Sequence, residues 1–83
     1  GNYPNPFRGV TSINYELASA QFVTLVVHDI QGRKIATLVD GFQSSGWHTV
    51  ALDASSLRLA PGPYFYRLAG GNFSQSSKLV VVP

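Results

Sequence analysis

Apolar and polar residues alternate with a period of two along most of the chain, and no stretch keeps a helical period beyond a turn or two. Over residues 11–17, Ile13, Tyr15 and Leu17 interleave with Ser12, Asn14 and Glu16, the pattern of a half-buried strand. Residues 21–29 are rich in β-branched side chains on both sides, with Val23, Leu25 and Val27 against Thr24, Val26 and His28. That predicts a central strand, or one partly covered outside. Residues 33–39 read as the next strand, stopping at the turn dipeptide Asp40-Gly41. Residues 46–52 alternate again, with His48, Val50 and Leu52 opposite Trp47, Thr49 and Ala51. Residues 64–69 form an aromatic strand, and residues 72–82 a closing one. Because Val80 and Val82 are apolar as well as Leu79 and Val81, the end of that strand is predicted to be covered on both faces or shifted by a bulge.

Turn signals separate these runs. Asp29-Ile30-Gln31-Gly32 predicts a tight turn, the Asp bonding the backbone ahead and the Gly closing it. Asp53 caps a single helical or 3₁₀ turn over residues 54–57, and Gly70-Gly71 is expected to supply positive φ for a hairpin loop. Pro4 and Pro6 keep the segment Tyr3-Pro4-Asn5-Pro6-Phe7 out of any central strand and leave it as a short edge piece. Six strands at this spacing predict an all-β fold, an antiparallel β-sandwich. Its core is drawn from Ile13, Tyr15, Leu17, Val23, Leu25, Val27, Ile35, Val50, Leu52, Tyr64, Tyr66, Leu68 and Leu79. With no linker or repeat, residues 1–83 read as a single domain.

Composition narrows the function. The 83 residues contain no Cys and no Met, which excludes disulfides and Cys-based zinc sites. The apolar runs over 22–27 and 79–82 fall far short of the roughly 20 residues a membrane helix needs, so no transmembrane segment is expected. The chain starts without Met, so it reads as a domain excised from a larger protein. Net charge is +2, with Arg8, Arg33, Lys34, Arg58, Arg67 and Lys78 spread along the chain, which gives no footprint for nucleic acid.

Catalytic groups do not converge. His28 and Asp29 are strand neighbours pointing to opposite faces, three of the four acids sit at turns or caps, and no serine lies in a Gly-x-Ser-x-Gly elbow. His28 and His48 can lie side by side across a sheet, but two imidazoles without a third ligand are a weak metal signal. No catalytic residue, metal or cofactor is expected. A sugar-binding platform is conceivable from Trp47 and Phe65, each out of phase with the apolar side of its strand. Rings covering the rim of a small core are the better account of both.

Four stretches in order carry a family resemblance: Asn2-Tyr3-Pro4-Asn5-Pro6-Phe7, Asp29-Ile30-Gln31-Gly32-Arg33-Lys34-Ile35, Leu59-Ala60-Pro61-Gly62-Pro63-Tyr64-Phe65-Tyr66-Arg67-Leu68 and Lys78-Leu79-Val80-Val81-Val82. Over essentially its whole length the chain resembles the type A C-terminal sorting domain of the Bacteroidetes type IX (Por) secretion system. The resemblance implies an Ig-like sandwich of six to seven strands at the end of a secreted protein. Its partners would be a covalently linked N-terminal cargo, in many cases a hydrolase, and the outer-membrane secretion machinery. Its destination would be the cell surface or exterior, by way of the periplasm. The family motif G-x-Y-x-x-R falls on Gly62, Tyr64 and Arg67, and its Lys-led apolar tail on Lys78, Leu79, Val80, Val81 and Val82. These are the residues expected to be read by the machinery, with Asp29, Gly32 and Arg33 as a structural turn motif. Pro63 stands where the family favours an aliphatic residue, which is expected to trim the start of that strand's ladder, and Pro83 replaces the basic residue often found at the end. The chain is also similar to the Ig-like domain of flagellar hook-capping proteins. A closing strand with an unpaired edge over 78–82 would be a template for strand addition.

Overall fold

The computed structural model describes residues 2–83. Seven strands form two antiparallel sheets: β1 (Asn2–Tyr3), β2 (Val10–Leu17), β3 (Gln21–His28), β4 (Lys34–Gln43), β5 (Gly46–Asp53), β6 (Gly62–Ala69) and β7 (Ser74–Val81). One sheet has the order β1-β2-β5 and the other β4-β3-β6-β7. This is the all-β antiparallel sandwich that the alternation predicts, in the Ig-like form that the family resemblance implies. β3, apolar on both sides, is central in its sheet.

The core lies between the sheets. Of the predicted core residues, Ile13, Tyr15, Leu17, Val23, Leu25, Val27, Leu52, Tyr64, Tyr66, Leu68 and Leu79 are buried. Val50 is partly buried against them. Ile35 is a correction, at 37% exposure. Lys34 pairs with His28 and Ala36 with Val27, so Ile35 is an extra residue in a bulge and leaves the inward phase. Leu38 is the extra residue of a second bulge, between Thr37 opposite Val26 and Val39 opposite Leu25. Both bulges sit on an edge strand, where they disrupt the ladder a second chain would need.

Two turn expectations also change. Asp40-Gly41 is not a turn: Asp40 pairs with Thr24 and Gly41 with Val23, and β4 runs on to Gln43. The reversal comes at Ser44-Ser45, where the chain leaves one sheet for the other and Gly46 has φ of 106°. Strand pairing outweighs the local turn preference of Asp-Gly. Gly70 and Gly71 are not among the positive-φ residues. Gly70 is needed because the Phe73 ring lies where a Cβ would be, and its N–H donates to the Phe73 carbonyl at 3.0 Å.

The N-terminal segment changes sheets, and the alternation gave no sign of it. Asn2 and Tyr3 pair with Ile13 and Ser12 of β2, whereas Phe7 forms a parallel bridge with Val81 of β7. The Thr11 hydroxyl, itself buried, donates to the Pro4 carbonyl at 2.6 Å and fixes the crossing. Phe7, 2% exposed, fills the core beneath. It was absent from the predicted core, as were Ala54 and Val81. Substituting Phe7→Ala should lower stability by about 3–5 kcal/mol, the cost of deleting a buried aromatic ring, measured by urea unfolding against the wild type.

Candidate functional site

The closing strand β7 and what grips it make up the candidate site. On its inner side β7 pairs with β6 from Ala69↔Ser74 to Gly62↔Val81 with no register shift. On its outer side Asn5 and Phe7 act as a strap. The Asn5 side-chain amide donates to the Lys78 carbonyl at 3.1 Å, and the Val80 N–H donates to Asn5 Oδ1 at 3.0 Å. The Phe7 N–H donates to the Val80 carbonyl at 2.9 Å, and the Val82 N–H donates to the Phe7 carbonyl at 2.8 Å. The edge expected to be open over 78–82 is therefore already bonded, and that expectation is corrected. No bulge shifts the end of the strand, and Val80 and Val82 are half-buried on its other side.

The same bonds explain Pro63. Both polar backbone groups of Val80 point to the strap, so the Val80–Pro63 pair is a non-hydrogen-bonded one. The missing Pro N–H faces away from β7, and the β6–β7 ladder starts at Gly62 untrimmed.

The connection into β6 is built as a set of interlocking turns. Asp53 Oδ1 accepts the N–H of Ser55 at 3.0 Å, capping one helical turn as predicted. That turn ends with Leu59 N–H on the Ala54 carbonyl at 2.9 Å and Arg58 N–H on the Ser55 carbonyl at 3.1 Å. Arg58 holds the left-handed conformation, φ 56°, at the position where such a terminus favours glycine. Gly62 follows with φ of 140°. The Tyr64 hydroxyl donates back to the Ala60 carbonyl at 2.7 Å, the tyrosine corner of Ig-like sandwiches. Gly62 and Tyr64 thus shape the start of β6, the strand on which β7 lies.

Register assigns the remaining site residues to faces. Leu79 and Val81 are buried in the core, and Val80 and Val82 are half-buried. Lys78 and Arg67 are exposed on the outer face of the four-stranded sheet, Arg67 Nε donating to Ser74 Oγ at 2.8 Å. Across that face Lys34, His28, Phe65 and Lys78 form one row, with Arg67 in the next. Three of the six cations, scattered in sequence, are gathered on one face by topology. Spacing along the chain could not have shown it, because Lys34 and Lys78, on the two edge strands, share a row only through the strand order.

Other expected groupings do not form. Trp47, 71% exposed, belongs to the β1-β2-β5 sheet, and Phe65, 39% exposed, to the outer face of the other sheet. The two rings lie on opposite sides of the sandwich and share no platform. His28 and His48 are likewise in different sheets. His48 stacks on Tyr15, ring centroids 5.3 Å apart, and its Nε2 lies 2.8 Å from the Ser44 carbonyl oxygen. The Tyr15 hydroxyl bonds Gln43, and burial pushes its pKa up against that bond. An exposed cross-strand pair, Phe22 and Phe42, was hidden by the misread end of β4.

The turn motif forms as expected. The Gly32 N–H donates to the Asp29 carbonyl at 3.0 Å, and Gly32 takes φ of 85°. Asp29 Oδ1 accepts the N–H groups of Gln31 and Arg33, both at 2.9 Å, and Oδ2 accepts Arg33 Nε at 2.8 Å. Desolvation pushes the Asp29 carboxyl up, but the bonds from Arg33 and Gln31 and the Arg33 charge outweigh it and hold the carboxyl below its ordinary range.

These contacts define a small Ig-like sandwich whose N-terminal segment is bonded to its closing strand. The chain belongs to the secretion system C-terminal sorting domain family, whose profile matches residues 2–82. This is the type IX sorting tail, which directs a parent protein to secretion or to the cell surface. No curated protein matches the chain.

Two measurements check the local chemistry. Tyr64→Phe should cost about 1 kcal/mol in urea unfolding, since it removes one hydrogen bond and leaves the Ala60 carbonyl without its partner. Asp29 has a lowered pKa in the folded state, so its contribution is complete above about pH 4, the ordinary carboxylate value, and is lost as pH falls through the folded value. The stability advantage of the wild type over Asp29→Asn should therefore be constant near neutrality and shrink below about pH 4.

Proposed function

We propose that the domain is a non-catalytic address, joined behind a cargo domain and read by the outer-membrane secretion machinery during export through the periplasm. The observation that carries this reading is the family match over residues 2–82. Within the address, the residues divide by burial. Leu79 and Val81 anchor the closing strand in the core, and Gly62 and Tyr64 shape the strand beside it. Arg67, Lys78, Val80 and Val82 carry the exposed or half-exposed surface that a receptor touches. The bonded state of the edge over 78–82 favours recognition through these side chains over strand addition at that place.

The test is a fusion of residues 1–83 behind a periplasmic reporter, in a host that has the secretion system. The reporter should appear at the surface or in the medium. The double substitution Arg67→Glu with Lys78→Glu, at exposed positions that leave the core intact, should reduce export at least several-fold. A reporter that stays periplasmic behind the unaltered domain sinks the proposal. Export unchanged by the double substitution assigns recognition elsewhere on the domain.

A further inference from the structure

The seam between β2 and β7 is closed over only half its length. In the closed half the N-terminal segment covers both sheets, β1 against Ser12 and Ile13, the strap against Lys78 to Val82. In the other half, Tyr15, Glu16 and Leu17 pair with β5 on one side, and no described strand lies on the other. The facing part of β7, residues 74–77, pairs only with β6 among the described strands.

The interior changes at the same point. Inward positions of β7 are the buried Leu79 and Val81 beneath the strap, but Ser77 and Gln75 beyond it. A cavity of about 30 Å³ opens there between the sheets, lined by Asn14, Tyr15, Tyr66, Leu68, Gln75 and Ser77 among others. Tyr66 is 5% exposed, and its hydroxyl is the one buried side-chain polar atom without a hydrogen-bond partner among the described residues. Buried hydroxyls are almost always bonded, so this one marks an unfilled position.

We propose that the open half of the seam is a strand-docking site. Its occupant is the segment of the parent chain immediately ahead of Asn2, which lengthens β1 along Tyr15 to Leu17 and supplies the partner for the Tyr66 hydroxyl. This rests on the reading that a cargo is joined ahead of the domain. The register carries the assignment. β1 is two residues long against eight in β2, and it runs antiparallel with Asn2 opposite Ile13 and Tyr3 opposite Ser12. Continued without a shift, the residue two places before Asn2 lies opposite Tyr15, and the next two lie opposite Glu16 and Leu17. Directly opposed residues share a face, so the one opposite Tyr15 points inward with it, toward the cavity that Tyr66 lines. A polar side chain there reaches the hydroxyl. The junction between cargo and address thereby becomes part of the sheet instead of a free tether.

The experiment uses the precursor with its own junction intact and follows amide hydrogen exchange. Its comparator is the same precursor with proline at the two junction positions aligned with Tyr15 and Glu16. In the natural precursor, the amides within 15–17 that face away from β5 should exchange at least roughly tenfold more slowly than in the proline variant, as ladder hydrogen bonds protect them. Core amides of β3 should be equally protected in both, which shows that the variant folds. Nuclear Overhauser contacts between the junction and Tyr15 should be present in the first precursor and absent from the second. Equal exchange in the two overturns the proposal, with a single water as the partner of Tyr66. The same pair is scored for export: a precursor that is exported without any difference in exchange refutes the docked strand and leaves the address standing.

Discussion

Everything at one end of the sandwich depends on Val80 having partners on the side away from β6. An edge strand ordinarily leaves its outward N–H and C=O groups to water. Here Asn5 and Phe7 take up four such bonds from Lys78 to Val82. With that edge satisfied, Leu79 and Val81 stay packed in the core, Phe7 has a place to bury, and Pro63 fits β6 at no loss of hydrogen bonding. The Tyr64 corner holds the same end from the opposite side. A short sandwich without disulfides gains most from tying its two ends together in this way, because its core alone is small.

How much of this was legible in the sequence varies with the kind of information each feature needs. Strands with clean alternation, such as β2 and β6, have their buried faces written in the period, and the structure follows them closely. The Asp29 turn was legible too, since a side chain bonding its own backbone is a local event. Bulges are not local in that sense. Ile35 and Leu38 sit in a strand whose register against β3 slips twice, and nothing in residues 33–39 announces the slip. Asp40-Gly41 misled for the converse reason: a strong turn dipeptide was overruled by pairing with β3, information that lies some seventeen residues earlier.

The site was legible in its parts and not in its assembly. Gly62, Tyr64 and the tail residues were recognisable as a set, yet their division into corner, core and exposed face follows from which neighbours each meets. The cationic face is the clearest case. Lys34, Arg67 and Lys78 come from three strands, and only the order β4-β3-β6-β7 with its registers brings them onto one surface. Likewise Trp47 and Phe65 were each rightly read as lying out of phase with their strand's apolar side, but phase says nothing about which of two sheets a strand joins.

The bond from the Val82 N–H to the Phe7 carbonyl closes a loop of nearly the whole chain. Contacts between residues so far apart in sequence are among the slowest to form, since the entropy of bringing the ends together precedes any return from the contact. Residues 10–69 carry most of the strand pairing among themselves, but the strap has nothing to grip until residues 78–82 are laid against β6. Loss of residues 78–82 would leave Asn5 and Phe7 without these partners and β6 with an open edge, exposed to pairing and to proteolysis.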